Sequence, residues 1–263
     1  MKPYIKSNKI LWDELAKAHL NDPFYQVAAF RQGKDSLHVP EIALLGDLQG
    51  LKVLHLQCHF GLDTLSLARR GAQVTGVDFS PEALKIAREL SEETGWKADF
   101  LEGDITDGLN LPSANFDLIF TSYGVIHWLP DLKVWSQAIH HHLKSGGRFV
   151  MVEFHPLLQI LDNASLSVVY SYFHEKKPVK QHIHASYTGK KIPSKDEFTW
   201  NHPLDSVLQT LISNGLNITD FREYDFSPYP CYENMTKRRS NEFIVDTKYT
   251  LPHLFSVVAK KNP

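Results

Sequence analysis

Strands and helices alternate between residues 51 and 154, and this rhythm constrains the fold more than any other feature. Short apolar runs of strand length recur there, and helical patterns or tight turns separate them. The predicted strands are Leu51–Leu56, Gln73–Val77, Ala98–Leu101, Phe116–Thr121 and Arg148–Phe154. Strands that alternate with helices predict a parallel sheet that carries helices on both faces.

Helix signals extend the pattern on both sides of this region. Apolar spacing predicts an amphipathic helix over residues 10–20 and a second, short helix over 40–45. A helix is predicted to begin at Pro203, and two final strands follow at 216–223 and 254–259. Residues 156–202 contain no clear strand–helix unit. A connection this long predicts a functional insertion with some structure of its own.

Charge and cysteine content exclude several classes of protein. The 263 residues include 28 Lys plus Arg and 30 Asp plus Glu, which gives a net charge of −2. No nucleic-acid partner is expected, because such proteins usually carry a basic excess. Cys58 and Cys231 are the only cysteines, so a disulfide scaffold is excluded. The polar start, Met1 to Lys9, and the lack of a long apolar run predict a cytoplasmic protein without a membrane partner.

Polar residues follow the first three predicted strands. The tight turn Gln57-Cys-His-Phe-Gly61 follows strand one, Asp78 ends strand two, and Asp104 follows strand three. In doubly wound sheets the ligand lies outside the carboxyl ends of the strands. A turn into a helix offers N–H groups to an anion, and the two carboxylates can accept hydrogen bonds from a ribose diol and an amino group.

These motifs resemble those of the class I S-adenosylmethionine-dependent methyltransferases. The segments that carry the resemblance are 53–63, 74–80, 102–105, 116–120 and 143–147. The chain is most similar to a bacterial branch with the turn Leu-Gln-Cys-His-Phe-Gly and a Trp-x-His pair, here Trp200 and His202. The resemblance implies a doubly wound, Rossmann-like α/β fold. Its seven-stranded sheet is mostly parallel, the last strand is antiparallel, and an insertion follows strand five.

The same resemblance implies a cofactor, S-adenosylmethionine, with S-adenosylhomocysteine as the product. It implies one domain: a helical N-terminal extension (1–48), a cofactor-binding half (49–155), a substrate-cap insertion (156–202) and a C-terminal part (203–263). The implied cofactor-binding residues are Gln57, His59, Gly61, Asp78, Phe79, Asp104, Ile105 and Ser122.

The cofactor turn departs from the usual family pattern of an acid and three glycines. His55 stands at the acid's position, and Gln57 and His59 stand at the first two glycine positions, so Gly61 alone remains. A nicotinamide cofactor fits less well, because the dinucleotide fingerprint needs glycines at these positions. The alternative without catalysis is a protein that only binds S-adenosylmethionine or S-adenosylhomocysteine.

Histidines are the candidates for catalysis. His202 precedes a helix that begins with proline, where the helix dipole favours the neutral imidazole that a general base needs. His127, after strand four, is the rival catalytic candidate, and the predicted substrate-binding residues are Tyr123, Glu153, His155 and Trp200. No metal site is predicted, because the side chains of His140 to His142 diverge on a helix.

The sequence therefore predicts methyl transfer to an O, N or S of a small molecule. The aromatic segment 224–232 could supply apolar walls for the acceptor. A protein or RNA substrate is the alternative within the class, but Thr121-Ser-Tyr-Gly124 replaces the Asn/Asp-Pro-Pro-Tyr segment of nucleobase amino methyltransferases. Six lysines between 176 and 195 leave two interpretations open: a solvated hairpin edge, or steering of an anionic acceptor.

Overall fold

Helices and strands cover most of the computed structural model, which describes residues 2–111, 115–232 and 235–262. The helices are α1 (Pro3–Leu20), α2 (Val27–Arg31), α3 (Val39–Leu45), α4 (Leu62–Arg69), α5 (Pro81–Thr94), α6 (Leu132–His142) and α7 (Leu204–Ser213). The strands are β1 (Lys52–Leu56), β2 (Gln73–Asp78), β3 (Ala98–Glu102), β4 (Phe116–Ser122), β5 (Leu143–Phe154), β6 (Val179–Ala185), β7 (Lys191–Thr199), β8 (Leu216–Tyr224), β9 (Met235–Arg239), β10 (Glu242–Val245) and β11 (Leu254–Lys261).

Seven of these strands form one sheet in the order β3-β2-β1-β4-β5-β11-β8. The first five pair in parallel, and β11 runs antiparallel to both of its neighbours, β5 and β8. The predicted seven-stranded, mostly parallel sheet with an antiparallel last strand is therefore confirmed. The chain order reverses between β1 and β4, which is where such sheets place their ligands.

Apolar burial on both faces explains why the strands are nearly continuous hydrophobic runs. Val53 and Leu54 are fully buried neighbours on β1, and they belong to core clusters on opposite faces of the sheet. The helices that cover the sheet begin at the predicted caps. The Ser80 hydroxyl accepts a hydrogen bond from the Ala83 N–H at the start of α5. At the start of α6, the Asp131 carboxylate accepts from the Lys133 N–H.

The N-terminal helix is longer than predicted, because it begins at Pro3 rather than near residue 10. Its first turns lack apolar periodicity, and tertiary contacts hold them instead. The Ser7 hydroxyl donates to the Asp196 carbonyl, and the Asn8 amide exchanges two hydrogen bonds with the backbone of Phe198. A sequence pattern that counts apolar residues does not detect such contacts.

Two strand assignments also differ from the prediction. Strand β5 begins at Leu143 rather than at Arg148, and the glycine-containing turn between them is an irregularity in its pairing with β4. The hairpin of β9 and β10 is not among the predicted strands. Strand β9 is polar and largely exposed, and β10 adds only a short apolar run after Glu242, so neither gives a clear strand pattern.

The segment 156–202 forms a separate two-stranded sheet from β6 and β7, as expected for an insertion with its own structure. This sheet lies against α1 and does not extend the large sheet. No helix within the described residues has the length and apolar character that crossing a membrane would require.

Candidate active site

A cavity of about 750 Å³ lies at the carboxyl ends of β1, β2, β3 and β4. All eight residues predicted to bind the cofactor line its wall, and so does Tyr123. The volume falls within the range of about 300–1,000 Å³ that is typical of small-molecule sites. The strand ends therefore meet at one concave surface.

The turn after β1 has a backbone shape that normally calls for glycine. Gln57 has φ 54° and His59 has φ 51°, so both side-chain-bearing residues adopt the left-handed conformation at the family's glycine positions. Such residues cost on the order of 1 kcal/mol each, and their side chains bind neighbours that hold them there. The Gln57 Nε2 donates to the Val125 carbonyl at 2.9 Å.

Gly61 completes this turn with φ 80°, and here a side chain would not fit. A Cβ atom at this position would lie 2.8 Å from Phe100 Cε1 and 2.9 Å from Ala87 Cβ. The remaining glycine is therefore required by packing between α4, α5 and β3 as well as by its backbone angle.

Asp78 joins the turn to the end of β2. One carboxylate oxygen accepts from the His59 N–H at 2.8 Å, and the other accepts from the Ser80 N–H at 2.9 Å. Burial raises the pKa of Asp78 to about 6, although the backbone N–H groups act in the opposite direction. A carboxylate retains further lone pairs, so Asp78 can still accept hydrogen bonds from a ligand.

Asp104 carries an unsatisfied acceptor on the cavity wall. Its Oδ1 accepts from the Thr106 N–H and hydroxyl at 2.9 and 2.7 Å. Its Oδ2 is buried and has no hydrogen-bond partner among the described residues. Buried polar atoms are rarely left unpaired, so this oxygen is suited to a donor group of a ligand.

The loop after β4 is held by Glu153, which was predicted to bind substrate. The buried carboxylate of Glu153 accepts hydrogen bonds from the N–H groups of Gly124, Val125, Ile126 and Phe154. Glu153 is not part of the cavity wall, so the structure corrects the prediction: this side chain shapes the loop rather than contacting the cavity.

Tyr123 lies on that loop with φ 34°, and its phenol meets a carboxylate from the N-terminal extension. The Tyr123 hydroxyl donates to Glu41 Oε2 at 2.7 Å, and the Glu41 side chain is fully buried. Burial, followed by the charge of Asp63, raises the pKa of Glu41 to about 8. Sequence reasoning missed Glu41; the only signal was one acid within the short apolar helix α3.

A chain of hydrogen bonds connects the turn to α1 and to the insertion. His59 Nδ1 accepts from the Phe60 N–H, so the neutral ring carries its proton on Nε2, which is 3.0 Å from His19 Nδ1. His19 Nε2 then lies 3.1 Å from the Ser186 hydroxyl, which continues through Thr188 to Asp22. Burial lowers the pKa of His19 to about 4 and that of His59 well below its usual value.

Comparison with known proteins agrees with this architecture. Residues 53–147 match the family model described as a methyltransferase domain, and this region holds the turn, Asp78, Asp104 and the loop after β4. The matched segment is therefore similar to a methyltransferase domain, and the whole chain shares its fold with solved S-adenosylmethionine-dependent methyltransferases.

A curated relative from Xylella fastidiosa, named as a ubiquinone biosynthesis O-methyltransferase, is 33% identical to the chain over 150 residues. The match covers 52% of this chain and 61% of the relative, so the chain spans less than two thirds of the curated relatives it matches.

Two solved S-adenosylmethionine-dependent methyltransferases share the fold. The Clostridium acetobutylicum protein has a TM-score of 0.58 at 19% identity, covering 98% of this chain and 99% of that one. The Mesorhizobium loti protein has a TM-score of 0.56 at 20% identity, covering 83% and 94%.

The four remaining predicted site residues lie off the cavity wall of this methyltransferase fold. His202 Nε2 bonds to the Leu129 carbonyl at 2.8 Å, and its buried ring stacks on His174. Burial lowers the pKa of His202 to about 4. The ring is thus neutral, as predicted, but its position does not support a role as catalytic base.

The other three have structural contacts instead. The His127 ring packs against Trp128 and makes no side-chain hydrogen bond within the described part of the chain, and burial lowers its pKa to about 3. His155 Nε2 is 2.9 Å from Glu223, and the buried Trp200 packs edge-on against Tyr4. Neither catalysis by His127 nor substrate contact by His155 and Trp200 is supported by these positions.

Segments outside the matched region 53–147 line the outer part of the cavity. The N-terminal extension contributes most of this outer wall, including Trp12, Phe24 and His38. From the predicted cap, 156–202, Tyr187 alone lines the cavity, and the aromatic loop contributes Tyr229, as predicted. The extension thus does more of the covering than the insertion does.

Charges on the wall are mainly acidic. Lys34 is the single lysine or arginine lining the described cavity, whereas the lining acids are Asp35, Asp63, Asp78 and Asp104. The lysines of the insertion lie elsewhere. No three His, Cys, Asp or Glu side chains come together as a metal site in the described part of the chain.

Proposed function

We propose that this protein transfers a methyl group from S-adenosylmethionine to a small-molecule acceptor. The observation that carries the proposal is the order of polar groups along one cavity: Asp104 after β3, Asp78 at the end of β2, the Gln57–Gly61 turn after β1, and Ser122 at the end of β4. These groups follow the strand order, so an elongated ligand can contact them in turn.

The residues present fit this cofactor. Asp104 Oδ2 is a buried acceptor without a partner, and an adenine amino group is a donor of the right kind. Asp78 can accept from a ribose diol while it holds the turn. When bound, the cofactor supplies a methyl group that its sulfonium already activates. The chain must then hold an acceptor in line with that group and keep water away.

Tyr123 and Glu41 are the groups that we propose for moving a proton. An acceptor hydroxyl at the cavity wall would give its proton to Tyr123 Oη, and Tyr123 would pass its own proton to Glu41 Oε2. Glu41 must be ionised to accept, and its pKa is about 8. We therefore expect kcat to rise as pH increases through about 8, provided that chemistry limits turnover.

An acceptor that is uncharged and carries a hydroxyl group fits the wall best. Tyr229 makes ring contacts with Phe24, His38 and Tyr123, which forms an aromatic surface beside the proposed proton acceptor. The acidic wall does not favour the anionic acceptor that the insertion lysines suggested. The relative's name, an O-methyltransferase, also supports oxygen as the accepting atom.

Calorimetric titration with S-adenosylmethionine and S-adenosylhomocysteine tests the cofactor. We expect both to bind, and Asp104→Ala to weaken both by roughly 10-fold or more. A folded protein that binds neither would refute the proposal. Asp131→Ala, at a helix cap that is not part of the cavity wall, is the control for a general loss of stability.

Turnover with a panel of phenols, catechols, amines and thiols tests catalysis. Tyr123→Phe and Glu41→Gln should reduce kcat roughly 10²–10⁴-fold at saturating cofactor, and the rise in rate near pH 8 should vanish in Glu41→Gln. Cofactor binding without turnover on any panel member would favour the non-catalytic alternative.

A further inference from the structure

Asp63 is a carboxylate on the cavity wall that the chain itself does not neutralise. It lies in the first turn of α4, and its Oδ2 accepts from the Ser122 hydroxyl at 3.1 Å. Among the described residues, no lysine, arginine or histidine forms an ion pair with it. Asp35, on the same wall, has Arg70 at 2.6 Å and Arg69 at 3.4 Å.

Gln57 presents a second acceptor without a donor near the same strand ends. Its Nε2 is engaged by the Val125 carbonyl, which fixes the orientation of the amide. Its Oε1 is buried and has no partner within the described part of the chain. A buried carbonyl oxygen left without a donor costs about 1–3 kcal/mol, so a donor from a ligand would remove this cost.

Strand order determines which part of the cofactor would reach these groups. Under the proposed function, the nucleoside contacts Asp104 and Asp78, which follow β3 and β2. The next strands along the sheet are β1 and β4, whose ends carry Gln57 and Ser122. Asp63 lies in the first turn of the helix that follows the β1 turn, and it is hydrogen-bonded to Ser122 at the end of β4. It therefore lies on the part of the wall that the amino-acid end of an extended cofactor would reach.

We propose that Asp63, together with Gln57 Oε1, binds the α-ammonium group of the cofactor. An ammonium group carries three N–H donors, so it can bind the Asp63 carboxylate and the Gln57 amide oxygen at the same time. It also brings the positive charge that would pair with the Asp63 carboxylate. This inference rests on the proposed function and adds a binding residue outside the eight predicted ones. Ser122 orients the carboxylate through its hydroxyl.

Two ligands distinguish binding of the ammonium group from a general effect of Asp63 on the cavity. S-adenosylhomocysteine carries the ammonium, whereas 5′-methylthioadenosine has the same nucleoside but lacks the amino-acid part. By calorimetry at pH 7.5, Asp63→Asn should weaken the binding of S-adenosylhomocysteine at least 10-fold. The affinity for 5′-methylthioadenosine should stay within twofold of the parent's. Asp104→Asn, at the nucleoside end, should weaken both probes by a similar factor.

The outcomes distinguish this inference from the proposed function. If the parent protein binds neither probe, both the proposed function and this inference are refuted. If the parent binds both but Asp63→Asn loses affinity equally for both, or for neither, the ammonium role alone is overturned. Unchanged thermal unfolding of Asp63→Asn would establish that a selective loss reflects the lost charge rather than misfolding.

Discussion

Replacement of Glu153 by glutamine tests whether this buried carboxylate holds the loop after β4. The carboxylate accepts four backbone N–H groups, from Gly124, Val125, Ile126 and Phe154, and it is 1% exposed. Glutamine keeps one acceptor oxygen and places an NH₂ group against at least two of these donors. Hydrogen bonds to charged groups contribute about 1.5–3 kcal/mol each, so two lost bonds amount to roughly 3–6 kcal/mol.

Desolvation reduces this cost. Burial raises the pKa of Glu153, which means that the charged form is disfavoured in the folded protein, and glutamine removes that penalty. We therefore expect a net loss of about 3 kcal/mol in the free energy of unfolding. For a chain of this size, that corresponds to a decrease in Tm of roughly 6–12 °C.

Thermal unfolding by circular dichroism measures the change. Glu223→Gln is the matched control, because its side chain is 49% exposed and glutamine keeps an oxygen that can accept from the buried His155. This control should change stability by less than about 1 kcal/mol. A Glu153→Gln protein that melts within about 2 °C of the parent, yet loses turnover, would refute the structural role and restore Glu153 as a substrate residue.

Three further predictions concern the cavity and its surroundings. Gly61→Ala should destabilise the protein by roughly 1–3 kcal/mol, since it combines strain at φ 80° with a clash against Phe100, and a Tm equal to the parent's would contradict this. Affinity for S-adenosylhomocysteine should fall as pH decreases through about 6, because protonated Asp78 loses its charge-assisted bonds, and Asp78→Asn should abolish this dependence in calorimetry. His202→Ala should lower Tm, because it leaves the buried Leu129 carbonyl unpaired, but should keep kcat within a few-fold; a collapse of kcat would return His202 to the reaction.

The positions of Asp78 and Asp104 on the cavity wall could be predicted because both residues are tied to strand ends. Asp78 and Asp104 directly follow β2 and β3, and parallel strands bring their carboxyl ends to one edge. Local spacing along the chain therefore encodes proximity in space. The Ser80 cap and the Gly61 turn could be predicted for the same reason, since each depends on residues only a few positions away.

The contact between Tyr123 and Glu41 could not be predicted in this way, because it joins distant segments. Glu41 and Tyr123 are hydrogen-bonded although they lie 82 positions apart in the sequence, and the apolar pattern of α3 does not indicate that contact. His202 was misleading for the same reason. Its place before a helix predicts a neutral ring, but the direction in which that ring points depends on packing against Leu129, 73 positions away.

The hydrogen-bond chain from His59 to Asp22 has a consequence for the rate of ligand exchange. Its donors all point the same way, from the turn through His19 and Ser186 to Thr188 and the carboxylate, so the attachment persists with both rings neutral. Since the pKa of His19 is about 4, His19 stays neutral between pH 5 and 9, and a change of pH within this range should not break the hydrogen-bond chain. We therefore expect the outer wall that α1 and the β6–β7 hairpin form to stay in place over this pH range. A change in the rate of cofactor release with pH would then come from Asp78, which titrates near pH 6, and not from opening of this wall.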